Sequence, residues 1–386
     1  MGGVSTPPRI LCISFSNFLA DSRVLRQLEV LRKFGSVTTI GYGEAPPGVA
    51  EHIRVDSALP SLPQTPLGVL KLAVRAYRSV VLDAPAMQSA LKLLHGREFD
   101  LIVANEARAL PLAHRIAQGA PVWGDMHEWA PEERTHVLSW RLLVAPFMTW
   151  VCARYLPGTT VVSTINGSIA KLYEEQFGVQ SRIVRNAIGF QDLSPSPMQE
   201  GRIRLVHSGG AVPGRSIETL IEATKRLDDR FTLDLYLVKA RGSDSYWDSL
   251  VALASESDRV HVHDPVAPAD LPRVLNAYDV GVFVLPPRTT NHRLMLPNKF
   301  FDFVQARLAL VFSPAVETDV LLREHDLGRL TAGFSVDDLV AVLRDLTEQD
   351  VARYKANAHR AAEVLNSRED ERAQEQILTE LLAPVH

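Results

Sequence analysis

The residues best suited to chemistry lie in three short stretches. The first runs Leu296-Pro297-Asn298-Lys299-Phe300-Phe301-Asp302-Phe303-Val304 and continues through Leu308 to Ser313. A polar corner feeds an amphipathic helix, which hands over to a buried strand. Pro297 suits the first helical position, where its missing N–H is not needed. Free backbone N–H groups and the positive dipole end then face out of the corner and suit an anion. Lys299 adds charge there, or is simply an exposed helix lysine. Asp302 follows about one and a half turns later, among Phe300, Phe301, Phe303 and Val304. A carboxylate in so apolar an element, beside an anion corner, suits the hydroxyls of a ribose.

In the second stretch, the strand beginning at Leu205 runs into Gly209-Gly210, then a short loop, Arg215 and a helix. Glycines let backbone N–H groups approach a pyrophosphate closely, and Arg215 can clamp its oxygens bidentately. The plainer alternative is a strand–helix turn with a solvated arginine. The third stretch, Asp125-Met126-His127-Glu128, follows a strand end, where ligands of open α/β sheets gather. Glu106 closes the preceding strand in the same layer.

The elements that must position these residues alternate from end to end, apolar run against amphipathic helix, the signature of βαβ units around parallel sheets. Strands are expected at Arg9–Ser14, Val37–Tyr42, Phe99–Ala104, Pro121–Gly124, Thr159–Ser163 and Arg182–Arg185. Helices are expected at Asp21–Phe34, Leu67–Leu82, Ala107–Gln118, Ser139–Tyr155 and after Asn166, with Asp21 as an N-cap. Pro-rich coil spans Pro46–Pro66, and Phe190–Gly201 reads as a linker. Alternation then restarts, with strands at Arg204–His207, Thr232–Val238, Val260–Val262, Val280–Leu285 and Ala309–Phe312, a helix at Ser216–Leu227, and a helical C-terminus. The division that follows is a domain over 1–189, a linker over 190–201, a second domain over 202–350 and C-terminal helices over 351–386.

Together the three stretches resemble the nucleotide-sugar site of glycosyltransferases with the GT-B fold, in particular the retaining family 4 type, whose Pro-x-Lys-x-x-acid-aromatic pattern falls on Pro297, Lys299, Asp302 and Phe303. The resemblance covers nearly the whole chain. It implies an α/β protein of two Rossmann-like, doubly wound domains with parallel sheets facing across a cleft, and C-terminal helices that cross back onto the first domain. It further implies a hexosyltransferase-type enzyme that moves a sugar from a nucleoside-diphosphate donor to an acceptor hydroxyl (glycan, lipid-linked or small-molecule), as in polysaccharide biosynthesis. Configuration would be retained, with the donor diphosphate itself serving as base. Donor binding would fall to Gly209, Gly210, Arg215, Asn291, Asn298, Lys299 and Asp302. His127 would approach the donor sugar, with Glu128 and Asp125 as catalytic partners or as groups that orient the loop and the imidazole. Glu106 either lines the acceptor side or is a helix-start charge.

Two departures stand out. Members often carry two glutamates; the second falls on Asp302 and the first, eight positions earlier, on Leu294. The loop Thr289–Arg293 would supply contacts instead, through Asn291. Ser14–Asn17 also replaces the Gly-Gly that some members carry after the first strand. Two rival readings follow: a non-catalytic relative that binds a glycan or a partner glycosyltransferase, and a nucleotide-sugar 2-epimerase of the same fold.

Composition narrows the field further. A chain of 386 residues with 46% hydrophobic content is long enough for two cores. A net charge of −4 gives no footprint for nucleic acid. Two cysteines, Cys12 and Cys152, form no disulfide framework and suit a reducing, cytoplasmic compartment. No Gly-x-Gly-x-x-Gly follows the first strand, which argues against hydride transfer. No Asp-x-Asp pair and no zinc spacing occur, so neither an obligatory metal nor a cofactor is expected. The start shows no signal-peptide pattern, and Met1-Gly2 with Ser5 and Thr6 matches a myristoylation start only loosely. No apolar run reaches the ~18 residues of a membrane span. The helix Leu67–Leu82 would place Lys71, Arg75 and Arg78 on one stripe, either a buried helix with a solvated basic face or a peripheral contact with the inner membrane face.

Overall fold

The computed structural model describes residues 7–239, 242 and 244–383; the Met1-Gly2 start with Ser5 and Thr6 lies outside them. Two compact units result. One takes the chain up to Arg185, the three residues Thr289–Asn291 and the chain from Glu369 on; the other takes Asn186–Arg288 and His292–Arg368.

The first unit is built on seven strands: β1 (Arg9–Asn17), β2 (Ser36–Tyr42), β3 (Glu51–Arg54), β4 (Leu101–Asn105), β5 (Val122–Met126), β6 (Val161–Thr164) and β7 (Ser181–Ile183). They lie in the order β3-β2-β1-β4-β5-β6-β7, all parallel. The second unit contains β8 (Ile203–Ala211), β9 (Phe231–Lys239), β10 (Val260–His263), β11 (Val280–Phe283), β12 (Ala309–Phe312) and β13 (Gly328–Leu330), in the order β10-β9-β8-β11-β12-β13, again parallel. Each sheet winds outward in both directions from its centre, so each has a switch point: β1/β4 in the first and β8/β11 in the second. Central strands such as β4 and β12 are buried along their whole length and are apolar except for Asn105 at the end of β4. These are the two Rossmann-like, doubly wound domains expected.

Several elements differ from expectation, each for a local reason. The stretch Leu67–Leu82 is two helices, Pro66–Ala73 and Tyr77–Val80, broken where Arg75 takes a left-handed φ of 57°. Lys71, Arg75 and Arg78 therefore share no stripe, and Lys71 turns to Asp83. β3 is an edge strand inside the Pro-rich stretch; its sequence Glu-His-Ile-Arg is too polar to announce a strand. Pro297 is the N-cap, not the first helical residue: its ψ of 151° is extended, and Asn298 opens the helix Asn298–Gln305. In the stretch Ser139–Tyr155, a π-turn at Trp140–Val144 precedes the helix Ala145–Tyr155, whose first turn accepts Pro146 without loss.

Between β7 and β8 no helix or strand forms. Arg307, with no exposed surface, holds this connection to the second unit. Its guanidinium donates to the carbonyls of Gln191 (2.6 Å), Leu193 (3.1 Å) and Gln305 (2.7 Å). Helix Glu348–Ala361 packs in the core of the second unit through Ala358 and Ala361. The last helix, Arg368–Leu381, buries Ile377 and Leu378 in the first unit, where Asp370 Oδ1 accepts from the backbone N–H of Arg185 at 2.9 Å. Among the described residues, no helix is long and apolar enough to cross a membrane.

Removing the Arg307 guanidinium strands several buried carbonyls at once. Arg307→Ala is expected to destabilise the protein by about 3 kcal/mol, read as a lower urea midpoint; an unchanged midpoint would show that the connection is held by other contacts.

Candidate functional site

In the second unit, β8 runs through Gly209 and Gly210 to Ala211 before it turns, so both glycines are part of the strand end and not of the loop after it. Gly209 takes a φ of 146°, and a Cβ built on it would stand 2.5 Å from Lys299 Nζ. A side chain there would push that ammonium aside and would strain the backbone at this φ. Gly214 is approached in the same way by Arg288 Nη1, 2.7 Å from where a Cβ would be. The Lys299 ammonium lies 5.2 Å from the centre of the Phe283 ring, on which His207 stacks at 9°. Burial, together with the Arg215 charge, lowers Lys299 to about 8 against the opposing pull of Asp302. Burial and the Lys299 charge push His207 down to about 3, so it is a neutral ring that bonds the Val282 carbonyl at 2.9 Å.

The strand ends β8 and β11 thus gather Lys299, Arg215 and Arg288 around a glycine-lined turn at the switch point of the sheet, the place where open α/β sheets hold ligands. Among the described residues none of the three makes an ion pair. Asp302 is half-buried on the same helix as Lys299, and Asn298 is exposed at its start. An arrangement of unpaired cations over close backbone is suited to a diphosphate. Leu294, at the position of the missing glutamate, is buried.

In the first unit, Asp125 on β5 is fully buried and both its oxygens are engaged. Arg23 donates to them at 2.9 and 2.7 Å, Ser163 at 2.6 Å and Gln27 at 3.3 Å. Burial opposes its charge, yet Arg23 and the His127 bond hold the carboxyl well below the usual carboxylate range. Asp125 has no oxygen left for a substrate; it positions. His127 Nε2 lies 3.0 Å from Asn105 Oδ1 and 3.4 Å from Asp125 Oδ2. Asn105 spends its amide N–H on Gln27 at 3.0 Å, so its oxygen must accept from His127. That assigns the proton to Nε2 and leaves the Nδ1 lone pair on the other side of the ring, 3.9 Å from Glu106 Oε1.

Glu106 directly follows β4 with a φ of 66°, a strained backbone of the kind that clusters at functional sites. It pairs with Arg108 at 2.5 Å, which also reaches Glu133 at 3.4 Å. Burial and the charges of Glu133 and Glu106 push Glu128 up to about 8, and burial raises Glu133 too, against the pull of Arg108. Glu106, Arg108, His127, Glu128 and Glu133 line a cavity of about 10 Å³, with room for one water at most. This cluster can hold a proton on Glu128 and accept one at His127 Nδ1.

Asn291 belongs to the first unit. Its amide is spent on the backbone of Trp129, accepting from the N–H at 2.7 Å and donating to the carbonyl at 3.1 Å. It fastens the loop after Glu128 and offers no free polar group of the kind the sequence suggests for a donor contact. The sequence analysis overlooks Arg288 and Arg108; Arg23 reads from sequence only as part of a helix start and Glu133 as a solvated helix-start acid, whereas both are drawn into the first unit's charge networks. Arg288 had a readable signal, since it follows Pro286-Pro287 just after the end of the apolar run of β11. Among the described residues, no group of three or more His, Cys, Asp or Glu could hold a metal ion.

No protein-family model and no curated protein sequence matches the chain. Solved structures do match it. HepE of Anabaena, crystallised with UDP and glucose, is similar at a TM-score of 0.71 and 16% identity, over 97% of this chain and 100% of that one. Sucrose-phosphate synthase of Thermosynechococcus elongatus is similar at 0.73 and 16%, over 97% and 99%. WaaG, a glycosyltransferase involved in lipopolysaccharide biosynthesis, is similar at 0.61 and 14%, over 96% and 99%. At these identities the likeness is one of fold, the GT-B architecture.

The carboxyl cluster makes stability depend on pH. Glu128 rises from an ordinary 4.5 to about 8, so the folded state holds an extra proton between those values. Its contribution is fully present below 4.5 and is lost as pH rises through about 8. The thermal midpoint is expected to fall across this window, and Glu128→Gln to raise it above pH 8 while leaving it unchanged in mild acid. A variant that tracks wild type at both ends would remove Glu128 from the account.

Proposed function

We propose that this protein is a glycosyltransferase that takes its sugar from a nucleoside-diphosphate donor and places it on an acceptor hydroxyl. One observation carries the reading: Lys299, Arg215 and Arg288 converge on the glycine-lined end of β8, and among the described residues none of them makes an ion pair. Arg215 and Arg288 are exposed, but desolvation disfavours the charge on Lys299, and a leaving diphosphate is the group that would offset it. In this reading the second unit binds the donor, with the pyrophosphate at Gly209, Gly210, Arg215, Arg288 and Lys299 and the ribose at Asp302. The three cations neutralise the leaving diphosphate, so no metal is required. HepE is crystallised with UDP-glucose, which makes UDP the first nucleotide to test.

In the first unit, His127 and Glu128 are assigned to the chemistry, with Asp125 and Asn105 positioning His127, and Glu106 to the acceptor. Transfer is proposed to proceed with retention: the acceptor oxygen bonds to the anomeric carbon, the bond to the diphosphate breaks, and the departing diphosphate takes the acceptor proton. This places the protein with the retaining family 4 type and with glycan assembly in the cytoplasm, where buried, free Cys12 and Cys152 stay reduced. Buried Leu294, in place of an acid, favours one alternative, a non-catalytic relative that binds donor without turning it over.

Thermal unfolding with UDP, GDP, ADP and dTDP tests the donor site, because a ligand of the folded state raises the midpoint. One nucleotide is expected to shift it. Arg215→Ala should weaken that nucleotide about 10- to 100-fold, and Gly209→Ala should abolish the shift by displacing Lys299. His127→Ala should bind the nucleotide as wild type does but fail to release it from its sugar nucleotide. Binding without turnover in wild type would select the non-catalytic alternative; no shift with any nucleotide would sink both.

Lys299 adds a calorimetric signature. Near pH 8 it is about half protonated when free, and a bound diphosphate would charge it fully. Titration in buffers of differing ionisation enthalpy should therefore show uptake of roughly half a proton, absent in Lys299→Met.

A further inference from the structure

The first unit carries a surface that none of these roles uses. Helix Pro66–Ala73 packs against the turn Trp140–Val144, and each presents aliphatic side chains to solvent. Leu67, Leu70 and Val74 follow helical spacing and are 61%, 59% and 66% exposed; Leu138 and Leu142, one turn apart on the neighbouring segment, are 59% and 63% exposed. Five large aliphatic side chains on two adjoining segments exceed the scattered exposure of an ordinary surface. Around them the charge is mainly positive, Asp83 being spent on Lys71. Neither 66–82 nor 134–155 contains an aspartate or glutamate. Arg75, Arg78 and Arg141 are exposed, and among the described residues none of them makes an ion pair. Lys71 is not part of this set, since Asp83 holds it. The surface rests on a firm base, because Tyr77 packs on Phe147 and Trp150 at ring distances of 5.7 and 5.9 Å.

We propose that this two-segment face, and not a single basic helix over 67–82, docks the protein on an anionic lipid bilayer. The leucines and Val74 would enter the headgroup region while Arg75, Arg78 and Arg141 meet lipid phosphates. Apolar area and basic charge together are what interfacial binding requires. A protein partner would instead have to supply a matching run of acids around an apolar centre. The inference is independent of the donor chemistry.

Co-sedimentation of the full chain with phosphatidylcholine vesicles, with and without phosphatidylglycerol, tests it. Wild type is expected to pellet with the mixed vesicles, to be released by high salt, and to pellet weakly or not at all with phosphatidylcholine alone. The triple variant Arg75→Glu, Arg78→Glu, Arg141→Glu should partition on the order of 100-fold more weakly. Leu67→Asp with Leu142→Asp should lose at least about tenfold. Both sets are at exposed positions and should keep the wild-type thermal midpoint and nucleotide response. Wild type that ignores anionic vesicles, or binding that survives both sets of changes, would overturn the proposal. So would a wild-type dimer that Leu142→Asp converts to monomer, since a second copy would then be the occupant.

Discussion

Arg23 and Asp125 meet in the first unit with almost no water around either, 6% and 1% exposed. Such a pair is costly to bury and pays back only if every remaining lone pair and N–H is used. Here they are. The guanidinium has fingers left over for the carbonyls of Val184 and Arg185 at 2.9 and 3.0 Å, and the carboxylate takes Ser163 and Gln27 as well. One ion pair therefore ties the first long helix, strands β5 and β6 and the chain after β7 to a single point. Asn105 and Gln27 extend the network to the imidazole of His127. The tautomer and tilt of that ring follow from a charge pair it touches only at its edge.

The two units use charge in opposite ways. At the lower edge of the second sheet, Asp279 is fully buried and satisfied by Arg204 and Lys355, with Arg204 at 2.9 Å. That cluster faces inward and fastens β8, β11 and helix Glu348–Ala361. At the other end of β8, Lys299 and Arg215 oppose one another without a carboxylate ion pair, and burial makes Lys299 easier to deprotonate than a free lysine. Satisfied charges build the scaffold; frustrated ones mark where a ligand of opposite sign belongs. The carboxyl cluster of Glu106, Glu128 and Glu133 has the mirror-image character: three acids share two guanidinium groups, the part-buried Arg108 and the exposed Arg134, which reaches Glu133 at 3.7 Å.

Backbone strain points to the same places. Glu106 at the end of β4, Gly209 at the end of β8 and Ser216 before the helix Ile217–Arg226 all take positive φ values. Each sits at the carboxyl end of a strand or just after it. Such conformations persist only where surrounding structure holds them, and in both units that structure is the doubly wound sheet.

Much of this was legible in the residues themselves. Apolar runs alternating with amphipathic ones specify parallel strands covered on both faces; β12, and the apolar stretches inside β1, β4 and β8, were readable for that reason. The corner Pro297–Asp302, the glycines of β8 and the Asp125–Glu128 turn stood out because composition changes abruptly at a strand end. What sequence could not show depends on partners far along the chain. Sequence leaves Asp125 open as a catalytic partner of His127, and only burial and a pair to Arg23, 102 residues away, make it a brace, while His127 is held through Nε2 alone. Asn291 looks like a ligand contact until its amide is found on Trp129, and Arg307 looks like a solvated arginine until it is found holding Gln191 and Leu193. The sequence by itself determined which elements form and where strand ends carry polar groups, because both follow from local periodicity. Which of those polar groups are satisfied, and which are left for a substrate, was decided only by tertiary structure, because hydrogen bonding and desolvation are properties of the neighbours a fold brings together.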